Sequence, residues 1–488
     1  VTRPAAVIIL AAGEGTRMKS AIPKVLHAIG GRSLLGHAIE AARGLNPEHL
    51  AVVVRHERDR VAAHVAQVAP DAVIADQDEV KGTGRAAECG LDALPTALSG
   101  TVLVTYGDVP LLASATLAAM VAEHEAHACA ATVITAHVPD PTGYGRILRD
   151  ADGAVAGIVE QKDATPQQRE ITEINSGIYA FDGALLRDAL AQVGTDNAQG
   201  EKYLTDVLGI ARARGLGLRA HLIDDLWQTE GVNDRVQLAR LGAELNRRVV
   251  EGHMRAGVTV VDPNTTWIDT DVTIGRDTLI QPNCQLLGAT TIGAEARIGP
   301  DCTLESCEVG DGAEVRRAEA HHAVIGTGAT VGPYSYLRPG TVLDAKGKIG
   351  GFVETKNAHI GEGAKLPHLT YCGDAEIGAG ANIGAGTIFA NYDGVAKHLT
   401  QIGRHSFVGS QSVLVAPVSV ADGAYVAAGS VVTDPVEPGQ IAVARQRQRN
   451  VDGWVARRRA GTPTAAAAQT GDAETGAGTA GAGEENAK

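Results

Sequence analysis

Arg17, Lys24 and Asp108 are the first residues in the chain whose types and positions suggest chemistry. Arg17 stands in "LAAGEGTRM" (10–18) and Lys24 in "IPKVLH", both just past the apolar run Ala6-Val7-Ile8-Ile9-Leu10. Asp108, in "YGDVP", follows a second apolar run, "TVLVTY" (101–106). A glycine-rich turn lets backbone N–H groups approach a phosphate, and two cations answer polyphosphate charge. A carboxylate just past a buried strand is well placed to hold magnesium. The turn completes neither familiar phosphate pattern. The dinucleotide fingerprint would need glycine where Met18 sits, and the P-loop would need G-K-[ST] after its second glycine. Taken alone, "GEGTR" is also compatible with a plain tight turn, and Asp108 with a structural aspartate.

A second set lies late in the chain. The stretch "VETKNAHIGEGAKLPHLTYCGDAEIGAGANIGAGTIFANYDG" (353–394) offers Lys356, His368, Tyr371, Asn382, Asn391 and Tyr392 among Ile, Gly and Ala. Arg338, in "YLRPG", precedes it. Acyl transfer to an amine requires a base, donors for the oxyanion, and a cation if the acceptor carries a phosphate. A histidine near neutral pKa suits the first role. A lone histidine is more often structural. The histidines of this region (321, 322, 359, 368, 398, 405) show no clean zinc-ligand spacing.

These residues need elements to hold them. Residues 1 to about 231 alternate short aliphatic runs with helical stretches, the pattern of a mainly parallel α/β sheet whose ligands bind at the carboxyl ends of its strands. In "SLLGHAIEAARGL", Leu34, Leu35, Ala38, Ile39 and Ala42 share one helical face, and Ser33 is the candidate N-cap. Residues 232–257 space Leu238, Leu241, Leu245 and Val249 three to four apart without proline, which predicts one long connecting helix. From 258 to about 456 an aliphatic residue followed by glycine recurs every six positions ("IGRDTL", "IGAEAR", "IGPDCT", "IGEGAK", "IGAGAN"). This is the hexapeptide repeat of a parallel β-helix: three hexads close a triangular coil of about 18 residues, with the aliphatic residue inward. Register slips at "LESCEV", around 343–352, and at "NYDGVAKHLT" predict loops leaving the coil. The segment 457–488 has too few large apolar side chains to offset its ordering entropy, so a disordered tail is expected.

Composition narrows the classes. At 488 residues the chain is long enough for two or three domains. A net charge of -14 argues against a general nucleic-acid binder. Six cysteines without C-x-x-C spacing argue against a disulfide framework or zinc site, which fits a reducing cytoplasm. No apolar run approaches a membrane span, and residues 1–20 lack a signal-peptide pattern, so no membrane partner is expected.

The strings "LAAGEGTRM…PKVLH", "YGDVPL", "DPTGYGRI", "GIVEQKDAT", "EINSGIYAF" and "EGVNDR" resemble the sugar-1-phosphate nucleotidyltransferases. With the hexapeptide half behind them, the chain resembles the bacterial bifunctional N-acetylglucosamine-1-phosphate uridyltransferase/glucosamine-1-phosphate acetyltransferase family over about residues 5–456. That resemblance implies a Rossmann-like nucleotidyltransferase domain, a linker helix and a left-handed parallel β-helix. It implies UTP and N-acetylglucosamine 1-phosphate as substrates of one site, with glucosamine 1-phosphate and acetyl-CoA as those of the other, Mg²⁺ as cofactor, and a homotrimer. The product would be UDP-N-acetylglucosamine for peptidoglycan.

Carried over by position, the resemblance implies uridyl-site contacts from Leu10, Ala11, Ala12, Gly13, Lys24, Gln77, Gly82, Thr83, Tyr106, Gly107, Asp108, Gly145, Glu160, Asn175 and Asn233. Arg17 and Lys24 would steady the triphosphate, and Asp108 and Asn233 would hold Mg²⁺. Gln77, Gly82 and Thr83 would read the uracil edge, and Gly145, Glu160 and Asn175 would face the amino sugar. Lys81 departs from the leucine common in the family. In the second site the resemblance implies His368 as base, oriented by Glu354, with Arg338, Lys356, Tyr371 and Asn382 on the sugar phosphate. It gives Ala385, Asn391, Tyr392, Ser410, Ala428 and Arg445 to acetyl-CoA. Two other readings stand beside this one: a single-activity nucleotidyltransferase whose β-helix only assembles, and a scaffold that binds a UDP-sugar without turnover.

Overall fold

The structure is a computed structural model describing residues 3–96, 98–197 and 199–476. Its N-terminal half is built on a nine-stranded sheet. Strand Ala6–Leu10 is buried along its whole length and runs parallel to both His49–Val54 and Thr101–Tyr106. Such a strand needs apolar residues on both faces, which is why it reads as a continuous run rather than an alternation. Leu10 pairs with Tyr106 and with Val53, so Ala11, Gly107 and Arg55 all emerge near one edge of the sheet. Beyond Thr101–Tyr106 the strand Glu173–Asp182 is antiparallel, and the hairpin Gly145–Arg149/Val155–Val159 pairs with it. Helix Leu34–Arg43 covers one face, and Ser33 caps it by accepting from the Gly36 N–H at 2.9 Å.

Helix Arg235–Arg255 starts with the Asp234 carboxylate accepting from the Gln237 N–H, and it buries Leu241 and Val250. Just before it, the Val232 N–H donates to the carbonyl of Asp108 at 2.9 Å, which ties the linker to the strand end. The two halves also meet directly. The Gly30 carbonyl accepts from the Thr270 N–H (3.0 Å) and hydroxyl (3.1 Å), and Arg32 pairs with Asp271 at 2.6 Å. Gly31 has φ +79°, and a Cβ there would lie 2.6 Å from an Asp269 oxygen. Only glycine allows that approach.

The C-terminal half is a parallel β-helix. Its flat sides run as an eleven-stranded sheet and a seventeen-stranded sheet that wraps the rest of the prism. Inward residues stack coil upon coil: Ile280, Ile298, Val315, Val331, Ile349, Leu366, Ile383, Val408 and Val426 belong to one continuous core. Each fully buried aliphatic side chain contributes about 1.5–3 kcal/mol by burial, which explains why the hexad keeps its aliphatic position.

Two of the three expected loop excursions are absent. Thr291 pairs with Glu308 seventeen residues on, against eighteen from Leu287 to Glu305, so "LESCEV" shortens a corner by one residue instead of leaving the prism. Ser306 adopts φ +51° there, as Gly288 (φ +61°) does at the equivalent place one coil earlier. Around 343–352 the coil also stays closed, with Thr330 paired to Lys348 and Ile349 to Leu366. Only the third slip, 391–400, is an excursion: Ala375 pairs with Thr400, twenty-five residues on. The segment after 456 differs from the expectation of disorder. Helices Trp454–Arg458 and Pro463–Gly476 form, while 477–488 lie outside the described residues. Alanine needs no buried face to be helical, Pro463 fits the first turn, and the Thr462 hydroxyl accepts from the Ala465 N–H. Among the described residues no helix is long and apolar enough to cross a membrane.

Two candidate active sites

The first site is assembled at the carboxyl ends of the parallel strands. Gly15, with φ +62°, is where a Cβ would fall 2.5 Å from the Cβ of Lys24, so glycine lets the lysine pass over the turn. The Lys24 ammonium reaches the carboxylate of Asp108, and both side chains are largely buried. Arg17 donates to Asn233 Oδ1 at 2.8 Å. Each oxygen donor of the cluster is thus matched by a cation. Arg17 is exposed, whereas the enclosed charges of Lys24 and Asp108 are screened far less than at an open surface. Leu10, Ala11, Ala12, Gly13, Lys24, Gln77, Gly82, Thr83, Tyr106 and Asp108 line a single cavity of about 450 Å³.

The same cavity is lined by Glu14, Arg55, Lys81 and Glu201. Arg55 follows the buried strand His49–Val54, so the strand-end rule that singles out Asp108 applies equally to it. Glu201 had no local signal. Its segment reaches the cavity through tertiary contacts alone.

Gly145, Glu160 and Asn175 form an adjoining wall. Gly145 pairs with Asn175, and a Cβ on Gly145 would lie 3.4 Å from the Asn175 Cβ. Asn175 Oδ1 accepts from the Tyr179 hydroxyl (2.9 Å) and the Gly177 N–H (2.8 Å). Gly177, at φ +82°, leaves room for the Tyr106 ring, which a Cβ would meet at 2.4 Å. The wall therefore abuts the cavity through Tyr106. Burial, then the carboxylates of Asp108 and Glu160, push the Tyr106 phenol well above its usual range, which keeps it a neutral donor. Burial pushes the Glu160 carboxyl up, with Asp163 adding to the rise and the Thr205 hydroxyl opposing it.

The second site lies on the prism. His368 ends strand Lys365–His368, is exposed, and pairs with Gly351 one coil earlier. The next coils repeat the same corner. Gly386 N–H donates to the His368 carbonyl (3.2 Å), Gln411 N–H to that of Ala385 (2.8 Å), and Gly429 N–H to that of Ser410 (2.9 Å). His368, Ala385, Ser410 and Ala428 therefore occupy equivalent positions along one edge. Arg445 follows, its side chain 3.8 Å from where a Gly429 Cβ would stand.

Around that corner, on the other sheet, cations collect. Lys397 beside Lys356, and then Arg338, hold the Lys356 ammonium below its usual pKa. A bound dianion would relieve that repulsion. Lys356 pairs with Gly373, and the Tyr371 hydroxyl and Asn391 amide both lie over that glycine, 2.5 and 2.8 Å from a Cβ built there. Lys397 was missed by sequence reasoning. It sits in the excursion 391–400, and the bridge from Tyr392 to Lys397 folds the loop back over the face. Tyr392 is itself exposed, with its hydroxyl donating to the Gly394 carbonyl.

Two residues stand elsewhere than expected. Glu354 accepts from Arg338 at 3.0 Å, rather than from His368. Asn382 opens a strand on the eleven-stranded sheet with His368, whereas Arg338, Lys356 and Tyr371 belong to the other sheet. One chain does not gather the four expected sugar-phosphate contacts on one face.

Residues 7–170 match the MobA-like NTP transferase domain family, 271–306 the bacterial transferase hexapeptide family, and 400–434 the hexapeptide repeat of succinyl-transferase. The chain is 60% identical to a bifunctional protein GlmU of Pseudarthrobacter chlorophenolicus, with 96% of each chain covered. It is 59% identical to the GlmU of Mycolicibacterium vanbaalenii (95% of each) and 57% identical to that of Corynebacterium efficiens (95% and 96%). Fold and sites together define a nucleotidyltransferase joined to a hexapeptide-repeat acyltransferase. The chain belongs to the bifunctional GlmU family, over nearly its whole length.

Proposed function

We infer that the chain catalyses two successive transfers in the synthesis of UDP-N-acetylglucosamine. The C-terminal half acetylates glucosamine 1-phosphate from acetyl-CoA, and the N-terminal half transfers UMP from UTP to the resulting N-acetylglucosamine 1-phosphate. The observation that carries this reading is a pair of cation clusters, one on each half: Arg17 with Lys24, and Arg338 with Lys356 and Lys397.

In the first reaction a phosphate oxygen of the sugar phosphate attacks the α-phosphorus of UTP. The bond to the bridging oxygen breaks, and pyrophosphate departs with the electron pair. No protein nucleophile is required, so positioning and electrostatics supply the acceleration. Lys24 and Arg17 turn from Asp108 and Asn233 to the phosphates. Gln77, Gly82 and Thr83 hold the base, while Gly145, Glu160 and Asn175 hold the amino sugar. Asp108 and Asn233 offer one carboxylate and one amide oxygen, each covered by a cationic side chain. That donor set fits magnesium, which takes hard oxygen ligands and completes its shell with waters and phosphate oxygens. Magnesium supplies charge neutralisation for the phosphates when bound.

In the second reaction His368 removes the proton from the amine of glucosamine 1-phosphate as the nitrogen attacks the thioester carbonyl. The thiolate of coenzyme A leaves and is protonated. Arg338, Lys356, Lys397 and Tyr371 hold the sugar phosphate, with Glu354 keeping Arg338 in place. Ala385, Ser410 and Ala428, small residues along the His368 edge, leave a track for acetyl-CoA that Arg445, Asn391 and Tyr392 border. The working form in this reading is a homotrimer with the acetyl site between subunits, where Asn382 reaches the sugar held by a neighbouring copy. UTP and acetyl-CoA as substrates place the enzyme in the cytoplasm. The test is to supply glucosamine 1-phosphate, acetyl-CoA, UTP and Mg²⁺, then omit each in turn. UDP-N-acetylglucosamine forms only from the complete mixture, and its formation without acetyl-CoA would overturn the scheme.

A further inference from the structure

The turn that carries Gln77, Gly82 and Thr83 is gripped by a segment far along the chain. The Lys202 N–H donates to the Lys81 carbonyl (2.9 Å), the Gly84 N–H donates to the Lys202 carbonyl (2.8 Å), and the Leu204 N–H donates to the Thr83 hydroxyl (3.2 Å). Gly82 has φ +115°, and a Cβ there would fall 2.2 Å from the Lys202 carbonyl oxygen, so backbone lies directly on backbone. The Lys202 side chain turns away from the cavity and is buried, the residue being only 9% exposed. Its ammonium donates to Glu88 at 2.8 Å, and Glu88 also accepts from Arg85 at 2.6 Å. Arg85 reaches Asp78 at 2.6 Å, and Asp78 accepts from the Val80 N–H at 3.0 Å. The chain of charges returns to the turn where it began. Burial raises the Glu88 carboxyl, but the hydrogen bonds from Lys202 and Arg85 outweigh it and bring the group below its usual range. A buried ion pair broken on one side leaves an uncompensated charge, so this anchor is held firmly.

We propose that Lys202 is a positioning residue for base recognition: its pairing with Glu88 clamps Glu201–Leu204 onto Gly82 and Thr83 and sets the height of that turn against the pyrimidine. This rests on the reading of the turn as the wall that faces uracil. The test uses the full chain and compares UTP with CTP as nucleotide donor, with acetyl transfer and thermal melting measured on the same preparations. In Lys202→Met the KM for UTP rises about tenfold, kcat stays within about threefold, and the preference for UTP over CTP narrows. Lys202→Arg, which keeps the charge, restores both. Thr83→Ala separates the two ideas. If Thr83→Ala keeps the full preference for UTP, the turn does not read the base and the clamp falls with it. If Thr83→Ala loses the preference while folded Lys202→Met retains the parent KM and preference, the positioning role alone is overturned. Should Lys202→Met fail to fold, Glu88→Gln carries the same expectations and the same overturning result.

Discussion

Replacing Asp108 by alanine removes the carboxylate that Lys24 grips at the end of Thr101–Tyr106. Uridylyl transfer falls to background in Asp108→Ala while acetyl transfer persists, and loss of both in a folded variant would undo the separation of the sites. His368→Ala does the reverse: acetyl transfer drops by about two to four powers of ten, with uridylyl transfer intact. An unchanged acetylation rate would remove the histidine from the mechanism. Glu160 makes a prediction with a definite sign. Burial raises its folded pKa above the ordinary 4.5, so the native chain holds the proton to higher pH than the unfolded chain does. That contribution to stability is complete below 4.5 and is lost as pH rises through the folded value. Glu160→Gln is therefore more thermally stable than the parent at pH 7, the gap closing in acid, and it binds the sugar phosphate more weakly. A lower melting temperature at pH 7 would contradict the burial argument.

At the scale of elements, Gly373 is a position where one methyl group would disturb the second site directly. A side chain there would displace both the Tyr371 hydroxyl and the Asn391 amide beside Lys356. Gly373→Ala lowers acetyl transfer by about tenfold to a hundredfold without touching uridylyl transfer; a parent-like acetylation rate would show that neither group is needed there. The elements that were readable in advance are those whose pattern is local. The hexad announces each inward aliphatic of the prism, Ser33 announces the helix Leu34–Arg43, and the run Ala6–Leu10 announces a strand covered on both sides. Lys397 and Lys202 had no such signal. One rides an excursion that breaks the period, and the other acts through a pairing with Glu88, 114 residues away. The two false excursions have different physical causes: at "LESCEV" a corner closes with one residue fewer, while around 343–352 the coil simply keeps its eighteen-residue spacing from the coil before.

At the scale of the whole molecule, the two halves are joined by a helix and a glycine-rich seam yet place different demands on assembly. The residues that line the nucleotide cavity, Leu10 to Glu201, all belong to the N-terminal half. The acetyl site divides its expected sugar contacts between two sheets of the prism. Sedimentation should find a trimer, and dilution below its dissociation range should extinguish acetyl transfer while uridylyl transfer survives. A monomer that acetylates at full rate would reject the shared site.

The edge that carries His368, Ala385, Ser410 and Ala428 acts as a measuring stick. Its marks are set by backbone hydrogen bonds about 4.8 Å apart, and side-chain substitutions leave their separation unchanged. Acyl donors are thus sorted by reach: a thioester with a shortened arm would keep its reactive end beside the imidazole and surrender its grip at the far mark.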